Sequence, residues 1–144
     1  MSFGNFVDLD TYLTAGAGTN LSKIVSILYG AKEDKVLQWN VEKVWGALQA
    51  FANWRTSIYK EYDEFFELND KEDVGEVEQS EPNIQLMWWE SIMALANEDF
   101  LKVHQVVERP LREALNFLTW KKAQVQKQKL QNLKAKNDIQ RRIR

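Results

Sequence analysis

A chain of 144 residues fits one domain and can bury roughly two-thirds of the surface its unfolded form exposes. Hydrophobic residues at 44%, with six Trp, seven Phe and four Tyr, argue against wholesale disorder, and the absence of Cys excludes disulfides, thiolate metal sites and Cys nucleophiles. The net charge of −2 hides a polarity: residues 1–120 hold 10 Lys/Arg against 20 Asp/Glu, whereas residues 121–144 hold 9 Lys/Arg against Asp138 alone. Ends so different in charge meet different partners, or each other.

The N-terminus carries no cation before Lys23, so no basic leader is expected. The longest apolar stretches, around Ile24 to Tyr29 and Ile92 to Ala96, fall well short of the roughly 20 residues a bilayer requires. A cytoplasmic protein with no membrane contact follows as an expectation.

Residues 1–19 show no sustained period, and Gly16, Gly18 and Thr19 suggest a flexible lead-in. Asn20 reads as an N-cap for a short helix from Leu21 to Tyr29, stopped by Gly30. A charged connection over 31–39 leads to Asn40, a second cap. Beyond it Val41, Val44, Trp45, Leu48, Phe51, Ile58, Tyr62, Phe65 and Phe66 keep helical spacing and predict one long rod of about 27 residues. Arg55 falls within that stripe and is expected to lay its stem along the core with its head in water.

Residues 61–81 hold ten acids against Lys71 alone, which predicts a mobile acidic loop near 69–82. Asn83 then caps a helix with Ile84, Met87, Trp88, Ser91, Ile92 and Leu95 on one face. Asn97 and Asp99 mark a break, and a short helix runs through Val103 and Val107. Pro110 suits the first position of the last helix, whose buried stripe is Leu111, Ala114, Leu115, Leu118 and Val125. Past Val125 the apolar positions thin to Leu130, Leu133, Ile139 and Ile143 amid Lys, Gln, Asn and Arg, so the end of this helix needs outside support.

The fold class expected is all-α: a bundle of four to five helices with a long basic C-terminal helix. Its parts are a flexible lead over 1–19, a helical domain over 20–125 and a basic extension over 126–144.

Chemistry is sparse. His104 is the one histidine, so a zinc site with two histidines is impossible, and Leu101 stands where a Glu-x-x-His pair would need its Glu. No Gly-x-Ser-x-Gly elbow occurs, and Gly16-Ala17-Gly18-Thr19 lacks the Gly-Lys of a phosphate loop. Acid pairs such as Glu64 and Glu67 lie in a solvated run with nothing obvious to perturb them. The reading is non-enzymatic, with no catalytic residue, cofactor or metal.

Two features point to binding instead. The adjacent Trp88 and Trp89 lie about 100° apart on a helix, so Trp88 fits the core and Trp89 must sit at its edge or outside. Phe117 and Trp120 likewise flank the last stripe. The second feature is the basic tail, with Lys121, Lys122, Lys127, Lys129, Arg141 and Arg142 as candidate contacts. It has no aromatics interleaved beyond Trp120, and a body of net −10 repels polyanions, so protein or a second copy is favoured over nucleic acid.

The stretch Trp88-Trp89-Glu90-Ser91-Ile92-Met93-Ala94-Leu95-Ala96, then Asp99-Phe100-Leu101-Lys102-Val103, Val106-Val107-Glu108-Arg109-Pro110-Leu111 and Leu115 to Lys122, resembles helical assembly proteins of tailed bacteriophages. These are the tail assembly chaperones and the related baseplate-hub assembly proteins. Leu21 to Tyr29 ahead of an aromatic helix is similar to them too, so the likeness covers about residues 20–68 and 84–125. It rests on helix starts, breaks and apolar spacing, and the acidic stretch 69–82 has no part in it. The resemblance implies a chaperone or adaptor for tail or baseplate components. Alternatives are a structural subunit kept in the virion, its tail ordered by neighbours, or a small inhibitor that covers a basic surface of a host protein with the acidic segment 61–81.

Overall fold

The computed structural model describes the backbone of residues 1–67 and 83–143 and the side chains of 1–66 and 83–137. The expected loop at 69–82 and the side chains of Arg141 and Arg142 lie outside the described residues. The protein is all-α, with no strand among the described residues; Ser2 and Pro110 form one isolated bridge. The helices are α1 (Phe3–Thr14), α2 (Ala17–Tyr29), α3 (Glu33–Val36), α4 (Val41–Glu61), α5 (Asp63–Glu67), α6 (Ile84–Leu95), α7 (Val103–Val107) and α8 (Leu111–Ile143), with a 3-10 turn at Phe100–Lys102. Five of these run 12 residues or more; α3, α5 and α7 are single turns.

The largest correction concerns the N-terminus, which is helical where a flexible lead was expected. Ser2 caps α1 by accepting the Asn5 N–H at 3.2 Å, and Phe3, Phe6 and Leu9 are wholly buried. The apolar stripe looked broken because Asp10, at its centre, is itself buried in the core. Backbone bonds then pin this helix to the far end of the chain. Phe3 N–H donates to Arg109 O at 2.7 Å, and Leu111 N–H to Met1 O at 3.3 Å. The approach is close enough that a Cβ on Gly4 would stand 2.9 Å from Val107 Cβ, so glycine is required there.

Helix α2 begins at Ala17, not after Asn20, because Gly16 at φ 122° makes the corner from α1. Asn20 sits inside the helix and donates to the Gly16 carbonyl at 3.2 Å and the Tyr12 carbonyl at 3.4 Å, bracing that corner. Gly30 ends α2 in the left-handed conformation, as its position suggested. Asn40 and Asn83 cap α4 and α6, each accepting a backbone N–H in the first turn.

The rod expected over 41–67 breaks at Tyr62, whose φ of −118° and ψ of 36° leave the helical region. The break buries the Tyr62 ring and lets its hydroxyl donate to Asn116 Oδ1 on α8 at 3.0 Å, so a tertiary bond overrides helical continuation. Within α4 the buried face runs through Val44, Ala47, Leu48, Phe51 and Ile58. Val41 and Trp45, placed on that stripe by spacing, are 79% and 55% exposed. Trp45 follows Val44 by one residue and so lies about 100° around the helix from the buried face.

The core joins Phe3, Phe6 and Leu9 of α1 to Phe51 and Ile58 of α4, Trp88 and Ile92 of α6, and Leu111, Leu115 and Leu118 of α8. A smaller cluster of Val25, Val36, Val44 and Ala47 ties α2, α3 and α4 together.

Candidate protein-binding surface

The two adjacent tryptophans separate as helix geometry demands. Trp88 is 1% exposed, and its ring meets Phe3 and Phe6 edge-on at 5.8 Å each. Its Nε1–H donates to Asp10 Oδ2 at 2.7 Å. The same carboxylate accepts from Tyr59 OH at 3.0 Å and from Arg55 Nε. Arg55 therefore turns its head inward to Asp10, contrary to the expected solvent-facing head, because a buried carboxylate needs a cation more than the guanidinium needs water.

This cluster explains two proton affinities. Burial raises the Tyr59 hydroxyl far above its usual range, and the Asp10 charge adds to the effect. Burial pulls the Arg55 guanidinium down, yet the hydrogen bond and charge of Asp10 outweigh it and leave the group raised. Both Asp10 oxygens are occupied by internal donors, so the cluster works as a clasp between α1, α4 and α6. Sequence reasoning missed Asp10 by treating α1 as a lead-in. The signal was available: Phe3, Phe6, Asp10 and Leu13 keep helical spacing behind a Ser at the cap position.

Trp89 points elsewhere. It is 45% exposed and pairs with Phe100 at 6.5 Å, beside Leu101, the most exposed large apolar side chain among the described residues. On α8, Phe117 and Trp120 stand one turn apart at 5.5 Å, both about half exposed. Phe117 also walls an open groove of ≈ 290 Å³ whose apolar sides are Leu95, Val106 and Ala114. Lys102, Arg109 and Glu113 rim it. Along the rim Lys102 pairs with Asp99 at 3.0 Å and Arg109 with Glu113 at 3.4 Å, both in solvent. Hydrogen bonds from Lys102 and the Leu101 N–H hold the Asp99 carboxyl below its ordinary range. His104 is exposed and sits 3.2 Å from Glu108.

The basic candidates divide. Lys121 Nζ donates to Ala94 O at 2.7 Å, and Lys122 Nζ to Phe65 O at 2.6 Å. Both ammonium groups thus hold carbonyls in the last turns of α6 and α5, at the negative ends of those helices. Expected from the sequence to contact a partner, they serve first as internal clamps between α8 and the body. Lys127 and Lys129 lie farther along α8 on its exposed half.

A second apolar surface went unforeseen. Leu37, Val41 and Trp45 are all more than half exposed, and Leu37 and Val41 border a depression of ≈ 410 Å³ at the end of α2 and α4. Beside it Lys43 lies 3.7 Å over the Trp39 ring, itself edge-on to Tyr29 at 5.2 Å.

Among the described residues no group of three His, Cys, Asp or Glu side chains converges as a metal site, and no helix is long and apolar enough to cross a membrane. Comparison with known families, curated proteins and solved structures returns no match for the chain.

Proposed function

We propose that this protein is a non-enzymatic binding factor for other proteins, acting as chaperone or adaptor for tail or baseplate components of a tailed bacteriophage. The observation that carries the binding role is the pair of exposed aromatic contacts, Trp89 with Phe100 and Phe117 with Trp120, beside a groove with a charged rim. Large, half-exposed aromatics on rigid helices are the side chains that anchor protein interfaces at low entropic cost. The phage assignment rests on the sequence resemblance alone.

The test is capture of tail and baseplate-hub proteins, co-expressed from a tailed phage, by the full chain and by a Trp89→Ala/Phe117→Ala/Trp120→Ala variant. Retention by the native chain and loss by the variant is the expected result. Absence of capture by the native chain, or equal capture by both, overturns the reading. The exposed half of α8 favours one relative of this reading, a subunit held in the particle by its neighbours. Mass spectrometry of mature particles separates the two, since a chaperone leaves and a subunit stays.

A further inference from the structure

The face formed by α3 and the start of α4 carries a protruding aromatic and an apolar hollow side by side, and neither fills the other. Val41 and Trp45, one turn apart on α4, are 79% and 55% exposed, and Leu37, at the end of α3, is 75% exposed. Leu37 and Val41 edge a depression of ≈ 410 Å³ whose other apolar walls are Leu21, Val36, Trp39 and Val44, while Trp45 stands outside it. Beneath, Val25, Val36, Val44 and Ala47 pack as one cluster, so the face rests on a buried base.

The charge around this face is balanced. Residues 32–43 hold Lys32, Lys35 and Lys43 against Glu33, Asp34 and Glu42, so the net −10 of residues 1–120 falls entirely on the rest of that span. Lys43 is engaged over the Trp39 ring and Glu33 accepts from Ser22 Oγ. These are one group of each sign, and setting them aside leaves two against two. Two acidic bodies repel each other, and across this face they approach with the least repulsion.

We infer that this face pairs with a second copy of the chain about a two-fold axis, Trp45 of each copy seating in the depression of the other. A two-fold interface meets itself, so whatever protrudes on the patch needs a hollow on the same patch, and each charge on the rim needs its opposite there. Both conditions hold here. A partner of one strong charge sign gains along half of such a rim and loses along the other half. The area suits a modest dimer. Leu37, Val41 and Trp45 together expose on the order of 250 Å² of apolar surface, and the walls of the depression add to it. An interface at the small end, about 500–600 Å² a side and a little over half apolar, needs roughly 300 Å². Association in the micromolar range follows.

The test is the mass of the full chain by sedimentation over a concentration series from about 1 μM to about 1 mM. The expected result is a rise from 16.9 kDa toward twice that value, half complete in the micromolar range. Trp45→Ser and Leu37→Ser/Val41→Ser are each expected to weaken association at least about tenfold. All three side chains are exposed, so an unchanged unfolding midpoint shows that each variant is folded. Charge supplies a second measurement. Lys32→Glu/Lys35→Glu takes residues 32–43 to −4, and Asp34→Lys/Glu42→Lys takes them to +4. Each alone is expected to stay monomeric, and an equimolar mixture to pair.

A chain that is monomeric at every concentration overturns the inference. So does a dimer that either Trp45→Ser or Leu37→Ser/Val41→Ser leaves intact, or one that depends instead on residues beyond Val125. Opposite-charge variants that fail to pair on mixing, although the native chain dimerises, overturn the two-fold arrangement and the inference with it. The inference goes beyond the proposed function and does not rest on it, because Trp89, Phe117 and Trp120 lie on α6 and α8. Capture of tail proteins by a monomeric chain sinks this inference alone, and a dimer that captures none sinks that function alone.

Discussion

Two regions of one chain use helices in opposite ways. Around Asp10 and Trp88, three helices from distant parts of the sequence bury Phe3, Phe6 and Trp88, and no buried side-chain polar atom among the described residues lacks a partner. Along α8 from residue 123 to 137, nearly every side chain faces solvent, and the helix stands on local propensity and its anchorage in the body. The first region has no freedom to accept a ligand, because its groups are already spent on each other. The second leaves Val125, Leu130 and Leu133 about half exposed. Where a fold leaves its complementarity unfinished is where a partner completes it.

That contrast is best broken at Asp10. Asp10→Ala leaves the buried Trp88 Nε1–H without its acceptor and takes the partner from the part-buried Arg55 guanidinium and Tyr59 hydroxyl, with an expected loss of about 3–5 kcal/mol in urea unfolding. A loss under 1 kcal/mol means that the clasp is dispensable and the contrast false. Next in size is Gly4→Ala. Its Cβ would press on Val107 Cβ and its carbonyl, and separating α1 from α7 should cost about 1–3 kcal/mol.

Tyr59 provides a pH signature of the closed region. Its hydroxyl is raised by burial, so the folded state keeps a proton that the unfolded chain releases near pH 10. Stability from this group is complete below that pH and declines as pH rises above it. Thermal unfolding between pH 9 and 11 should show a steeper decline for the native chain than for Tyr59→Phe. The phenylalanine variant should cost about 0.5–1.5 kcal/mol at neutral pH through its lost bond to Asp10. Parallel pH profiles would remove Tyr59 from the clasp.

The smallest effect belongs to the open region. A chain ending at Val125 should keep its unfolding free energy to within about 0.5 kcal/mol, because the side chains of 126–137 contribute little burial. A large drop in stability would show that the extension supports the body.

Much of the fold was legible in the sequence for local reasons. Asn40 and Asn83 cap, Gly30 stops and Trp88 faces inward, because cap chemistry and helical period operate within a few residues. What failed did so where distant groups decide. Tyr62 breaks a continuous pattern to reach Asn116, 54 positions away. Arg55 turns inward for a carboxylate 45 positions earlier. Val41 and Trp45 keep the right spacing but miss the buried arc, which only the placement of α2 and α3 defines. Of the candidate site, the outward aromatics Trp89, Phe117 and Trp120 could be read from angular position on a helix. The internal engagement of Lys121 and Lys122 could not, since Ala94 and Phe65 come near α8 only in the folded chain.

By itself, the sequence determined the helical class, the helix ends at Gly30, Asn40 and Asn83, and the split of charge between body and tail, because propensity, capping and composition are local properties. Tertiary structure alone decided that α1 belongs to the core, that Asp10 gathers Arg55, Tyr59 and Trp88, and which apolar stripe is left uncovered. Burial is a relation between segments far apart in the chain, and no single segment carries it.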